Sequence, residues 1–176
     1  MKKVSLNMKR RIILIAAMAF AVISMDTAVA ATKAATFLKT VEGFRPTEYR
    51  DSTGKRTIGY GFTSAGMLGK RRISEAEASV ELVRICRALS LKLQAELAGQ
   101  RLTDAERSAL ISLIYNIGWS NFKTSKMCRL LKNGKRGKVV ADEFARWVYV
   151  TKDGQKIVCH GLKARRAKER QRFMGC

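Results

Sequence analysis

Two short motifs constrain this chain more than anything else in it. Ser74-Glu75-Ala76-Glu77 and Thr103-Asp104-Ala105-Glu106 each place a hydroxyl side chain three residues ahead of a glutamate. At that spacing the hydroxyl accepts from the N3 backbone N–H while the glutamate accepts from the N–H of the cap residue, so each motif is a capping box that opens a helix. Leu82, Ile85, Leu89, Leu93 and Leu97 follow the first at helical spacing. Leu110, Leu113, Ile114 and Ile117 follow the second, and Gly118 stands where a helix stops. Met127, Leu130 and Leu131 predict a shorter helix closed by Gly134, and Val140, Phe144 and Trp147 another over 139–147. A basic helix is expected over 162–173. Near the front, Phe37, Leu38 and Val41 give a stripe within 34–41 that ends at Gly43.

Residues 44–62 differ in kind. Tyr49, Thr57, Ile58 and Tyr60 favour strand, Ser52-Thr53-Gly54 is turn chemistry, and Gly59 and Gly61 allow the backbone to bend. A small hairpin or three-stranded sheet is expected there. Asp153-Gly154, between 148–150 and 157–158, signals a second, two-residue hairpin. The fold class is therefore α+β: mainly helical, with a small antiparallel sheet near the N-terminus.

Length and charge narrow the function. A chain of 176 residues holding 47% hydrophobic residues and one proline is one globular domain. Its net charge of +21 calls for an anionic partner: nucleic acid, an acidic membrane or an acidic polymer. Cysteines occur at 86, 128, 159 and 176, with no C-x-x-C pair, and His160 is the single histidine. That composition argues against a zinc site and against Ser-His-Asp or Cys-His catalysis. No metal and no cofactor are expected. In an oxidising compartment four cysteines allow two disulfides in three connectivities.

The N-terminus speaks for such a compartment. Lys2, Lys3, Lys9, Arg10 and Arg11 precede an uncharged run over 12–25, and Ala28-Val29-Ala30 follows. A membrane span needs about 20 apolar residues, a signal-peptide core about 7–15. Residues 1–30 are read as an export signal cut after Ala30; the rival is an uncleaved signal-anchor, with transient membrane association through 12–32. Residues 31–176 then form the catalytic domain and keep a net charge of +17. Export places the protein in the periplasm or outside the cell, and sets aside nucleic acid as partner.

The chemistry lies in the strand-like segment. Glu42 ends the first helix, Asp51 borders the turn and Thr57 begins the returning strand. A hairpin folded back on a helix end faces these three across one cleft. Two carboxylates across a cleft suit glycosidic cleavage, one protonated to donate to the leaving oxygen and one ionised to activate water. Burial against Phe37, Phe44 and Tyr60 would raise the Glu42 pKa, and a Thr hydroxyl holds water.

The run Glu42-Gly43-Phe44-Arg45, Tyr49-Arg50-Asp51-Ser52-Thr53-Gly54, Thr57-Ile58-Gly59-Tyr60-Gly61 resembles the active-site segment of the phage-type lysozymes, the lambdoid-phage-like endolysins of glycoside hydrolase family 24. Tyr115-Asn116-Ile117-Gly118, Trp147-Val148-Tyr149 and Gly161-Leu162-Lys163-Ala164-Arg165-Arg166 with Glu169 extend the likeness over the rest of the chain. The resemblance implies a lysozyme-like domain whose sheet bears the active-site cleft, and a muramidase acting on peptidoglycan as a monomer. It implies Glu42 as general acid, Asp51 as second carboxylate, Thr57 as water-holder and Arg165 as the partner that orients Glu42. That pairing opposes burial, so the sign of the Glu42 shift stays open. Asn116 becomes either a sugar contact or a helix cap, and Tyr60 a candidate for binding or orienting substrate. Phe62 stands where the family often carries His, so altered packing is expected there. A family-like packing lets Cys86 meet Cys176, leaving Cys128 and Cys159 for each other. The alternative function is a non-catalytic cationic protein acting on wall or membrane.

Overall fold

The computed structural model describes residues 27–51, 54–152 and 154–175. The basic and apolar stretch expected to be an export signal lies outside them; the Ala28-Val29-Ala30 motif after it is helical. In chain order the elements are helix α1 through residues 27–42, strands β1 (Arg45–Arg50) and β2 (Arg56–Gly59), and helices α2 (Ala65–Leu68), α3 (Glu75–Glu96), α4 (Asp104–Ile117), α5 (Trp119–Thr124), α6 (Lys126–Lys132) and α7 (Lys138–Ala141). A 3-10 turn over Asp142–Arg146, strands β3 (Tyr149–Lys152) and β4 (Gln155–Val158) and helix α8 (His160–Phe173) complete the described chain. The α+β class holds. Among the described residues no helix is long and apolar enough to cross a membrane.

Both capping boxes form. Ser74 accepts from the Glu77 N–H and Thr103 from the Glu106 N–H, and each glutamate accepts from its cap's backbone N–H. A cap of this kind contributes about 1 kcal/mol. The Glu77 carboxyl is pulled down to about 2, first by the Ser74 backbone N–H. Helix α4 is the pillar of the domain: Ser108 through Ile114 are all buried, so it is covered on every side, and it packs on α3, α5 and α8.

Four expectations change in detail. The buried face of α1 is Ala31, Ala34, Ala35 and Leu38, with Phe37 and Val41 only half-buried. Alanines at helical spacing let α1 approach its neighbours closely, and their weak hydrophobic signal hid the face. Helix 139–147 is instead a single α-turn that tightens to 3-10 geometry, closed by Trp147 N–H to Phe144 O at 3.1 Å. Helix α5, with buried Phe122, went unread. Cys128 and Cys159 do not pair. Cys128 is buried on α6, Cys159 caps α8 at the surface, and Cys86 is also free; Cys176 lies outside the described residues.

The first sheet is two-stranded. Tyr49 lies opposite Thr57 and Arg45 opposite Gly59, with an irregularity between, and an Ile58–Phe62 bridge extends the bend. Gly59 makes that bend possible, with φ of +68° and a would-be Cβ 2.7 Å from the Phe62 ring and 2.9 Å from Ile73 Cδ1. Phe62 is therefore a core residue, edge-on to Tyr60. The second hairpin pairs Tyr149 with Val158 and Lys152 with Gln155.

Candidate active site

Helix α1 delivers Glu42 to the floor of a cleft of about 1200 Å³. The β1–β2 hairpin forms one wall with Tyr49, Asp51, Lys55 and Thr57. The end of α4 (Tyr115, Asn116, Ile117) and α8 (Leu162, Arg165) form the back, and Trp147, at the end of the 3-10 turn, joins Tyr149 and Lys156 of the second hairpin along it. Glu42, Asp51, Thr57, Asn116 and Arg165, separate in sequence, thus line one space.

Arg165 Nη1 contacts Glu42 Oε1 at 2.6 Å. The side chains are 9% and 16% exposed, so this is a nearly dry ion pair. The sign left open by the sequence is resolved: the Glu42 pKa is raised. Burial is the larger cause, and the charge and hydrogen bond of Arg165 offset only part of it. The backbone of Gly61, at φ +92°, runs beside it, and a Cβ there would stand 3.5 Å from Glu42 Oε2.

Asp51 is fixed by its own turn. Its N–H donates to Lys55 O at 3.0 Å, and its Oδ1 accepts from the Lys55 N–H at 3.0 Å. Gly54, at φ +80°, closes the loop with its N–H on Asp51 O at 2.9 Å. Thr57 is buried on β2 and its hydroxyl donates to Lys55 O at 2.9 Å. With its proton so committed, Thr57 Oγ1 offers lone pairs toward the cleft, the right polarity to accept from a water.

Two candidates land differently from expectation. Tyr60 does not line the cleft. It is 2% exposed, packs on Phe44, and its hydroxyl donates to Glu75 Oε1 at 2.7 Å. Burial, with Glu75 beside it, pushes its phenol up to about 12. Its side chain is structural, and the adjoining backbone serves the site: Tyr60 O accepts from Tyr115 OH at 2.9 Å. Asn116 is no helix cap, because Gly118 fills that position; its Oδ1 accepts from Arg166 Nη2 at 2.8 Å.

Behind the cleft lies a cluster that sequence reading missed. Glu169 is fully buried. Its Oε1 accepts from Arg165 Nε at 2.9 Å and from Ser112 Oγ at 2.6 Å. Arg166 Nε stands 3.0 Å from Glu169 Oε2 as an ion pair without hydrogen-bond alignment. Arg165 Nη2 also donates to Ser112 O at 3.0 Å. Burial brings the Arg166 guanidinium down to about 10. A buried charge demands a partner, and the placement of Arg165 and Arg166 four and three residues ahead of Glu169 on one helix was the available signal.

The phage lysozyme family model matches residues 39–169. The chain belongs to the phage lysozyme family. Among phage lysozyme relatives, the SAR-endolysin of Bacteriophage PS119 is 30% identical over 134 residues, covering 74% of each chain. The endolysin of Salmonella phage P22 is 34% identical over 142 residues, covering 79% of this chain and 93% of its own. Among solved structures, the muramidase domain of SpmX from Asticaccaulis excentricus superposes with a TM-score of 0.68 at 27% identity, covering 80% of this chain and 94% of that one. The matched span of the phage lysozyme family runs from the last turn of α1 to Glu169, and so takes in the whole cleft and the buried cluster behind it.

Proposed function

We propose that this phage lysozyme family member hydrolyses the β-1,4 bond between N-acetylmuramic acid and N-acetylglucosamine in peptidoglycan, with Glu42 as general acid. The observation that carries this is the Glu42 carboxyl, raised by burial yet held in place by Arg165 at the floor of an open cleft. Raising the pKa of a carboxyl extends the pH range in which it has a proton to donate to a leaving oxygen, and an orienting partner keeps the donor aimed at it. Glu42 gives its proton to the glycosidic oxygen as the bond from the anomeric carbon breaks. Asp51, ionised, takes a proton from a water whose oxygen forms the new bond to that carbon, and Thr57 Oγ1 holds the water. The products are a reducing muramic acid end and a free 4-hydroxyl, and no further reactant is needed. The family resemblance favours inversion at the anomeric carbon. Asn116 faces the same cleft as a sugar contact.

Peptidoglycan is the substrate, and the net charge of +17 on residues 31–176 draws the enzyme to an anionic wall. The protein acts as a monomer outside the cytoplasm, residues 1–30 serving as an export signal cut after Ala30 and an uncleaved anchor being the rival form. N-terminal sequencing of exported protein separates these, with a start at Ala31 for cleavage and at Met1 for the anchor. The activity itself is tested by reducing-sugar release from purified peptidoglycan. New reducing ends at muramic acid are expected; lysis without sugar release would replace this reading by a non-catalytic cationic protein.

A further inference from the structure

We infer that Glu169 is a positioning residue of the reaction: it holds Arg165 and takes up a share of its charge, so that Glu42 is aimed by Arg165 without being stripped of its proton. The inference rests on Glu42 acting as the general acid.

The geometry makes Arg165 a bridge. One side of its guanidinium meets Glu42 Oε1 through Nη1 at 2.6 Å, and the other meets Glu169 Oε1 through Nε at 2.9 Å. Nη2 is held by Ser112 O at 3.0 Å, so the fork cannot swing. The two carboxylates are not equivalent. Glu42 is 16% exposed at the cleft, whereas Glu169 is wholly buried and also has Arg166 Nε at 3.0 Å and the Ser112 hydroxyl at 2.6 Å. A buried carboxylate set between two cations and a hydroxyl donor is well compensated; a cleft carboxyl sharing one cation with it is left under-compensated.

The surroundings of Glu42 agree. From α8 it is faced by Arg165 and Arg166, which favour its ionised form, and by Glu169, which favours its protonated form. From α4 comes Tyr115 and from β1 Tyr49, both phenols pushed up by burial and so neutral in the working range. Asp51 lines the same cleft. Neutralising Glu169 leaves two buried guanidinium groups with Glu42 as their nearest carboxylate, and that drives Glu42 to the ionised state in which it has no proton to give. Neutralising Arg166 does the reverse.

The test is the pH–rate profile of kcat/KM for reducing-end release from soluble peptidoglycan fragments, measured on full-length protein below each variant's melting temperature. For Glu169→Gln the alkaline limb moves to lower pH, and rate lost at neutral pH returns on acidification. For Arg166→Gln the limb moves to higher pH. Glu169→Asp, which keeps the charge but shortens the reach, leaves the limb in place and lowers kcat at every pH. Opposite displacements by two neutralising substitutions in one cluster do not follow from loosened packing. A uniform loss with an unmoved limb in Glu169→Gln would overturn the inference. If that variant does not fold, an Arg166→Gln limb that is unmoved or moves downward would overturn it. Wild-type protein that releases no reducing ends would instead remove the muramidase reading beneath it.

Discussion

Replacing Arg165 by Gln should be costly, and costly in a pH-dependent way. Arg165 is 9% exposed and serves two carboxylates, Glu42 at 16% and Glu169 at 0% exposure. Breaking a buried ion pair by removing one partner typically costs about 3–5 kcal/mol, because the survivor is left charged without compensation. Glu169 keeps Arg166 and Ser112, and Glu42 has a cheaper escape in taking up a proton, so the lower end, about 3 kcal/mol, is expected. For a domain of this size that lowers Tm by about 6–12 °C. Glu42 sets the pH dependence. Its folded-state pKa lies above its unfolded value, so the stability it contributes is fully present below the unfolded value and is lost as pH rises through the folded one. Arg165 pulls the folded value down; removing it raises that value further and widens the window over which stability is lost. The Tm deficit of Arg165→Gln, measured by circular dichroism, should therefore be larger at about pH 7 than at about pH 4. A deficit below about 2 °C would show that Arg165 does not hold the buried carboxylates, and one equal at both pH values that Glu42 does not set the pH dependence.

Other consequences follow from single positions. Gly59→Ala adds a Cβ 2.7 Å from Phe62 at a φ of +68° and should destabilise by at least about 2 kcal/mol, whereas Gly43→Ala, at φ +67° with open space around it, should cost only about 1 kcal/mol; chemical denaturation compares them. Thr103→Ala removes the acceptor for the Glu106 N–H and should cost about 1 kcal/mol in the same assay. Thiol labelling of native protein should reach half-exposed Cys159 before buried Cys86 and Cys128, and mass spectrometry should find no Cys128–Cys159 link.

What the chain revealed in advance was local chemistry. The capping boxes at Ser74 and Thr103 act within four residues, so their bonds could be read directly. The two hairpins were visible because glycine at Gly54 and Gly154 marks a turn whatever surrounds it. What escaped depended on partners far along the chain. Tyr60 reads as a strand aromatic beside the site, but its hydroxyl turns to Glu75 on α3, a choice made by helix placement. Ser112 and Glu169 are 57 residues apart, and nothing near either one announces the other. The sign of the Glu42 shift depended on weighing burial against Arg165, and burial is a property of the assembled cleft. Cys128 and Cys159 were matched by elimination, and the core claimed one of them while the rim of the cleft kept the other.

Every step of the proposed hydrolysis depends on Glu42 as the proton donor. Glu42→Gln keeps the size and much of the hydrogen bonding to Arg165 while removing the acid, so the fold should persist by circular dichroism. Reducing-end release from purified peptidoglycan should fall by at least about two orders of magnitude across the pH range. A folded Glu42→Gln protein that releases reducing ends at the wild-type rate would show that Glu42 is not the proton donor.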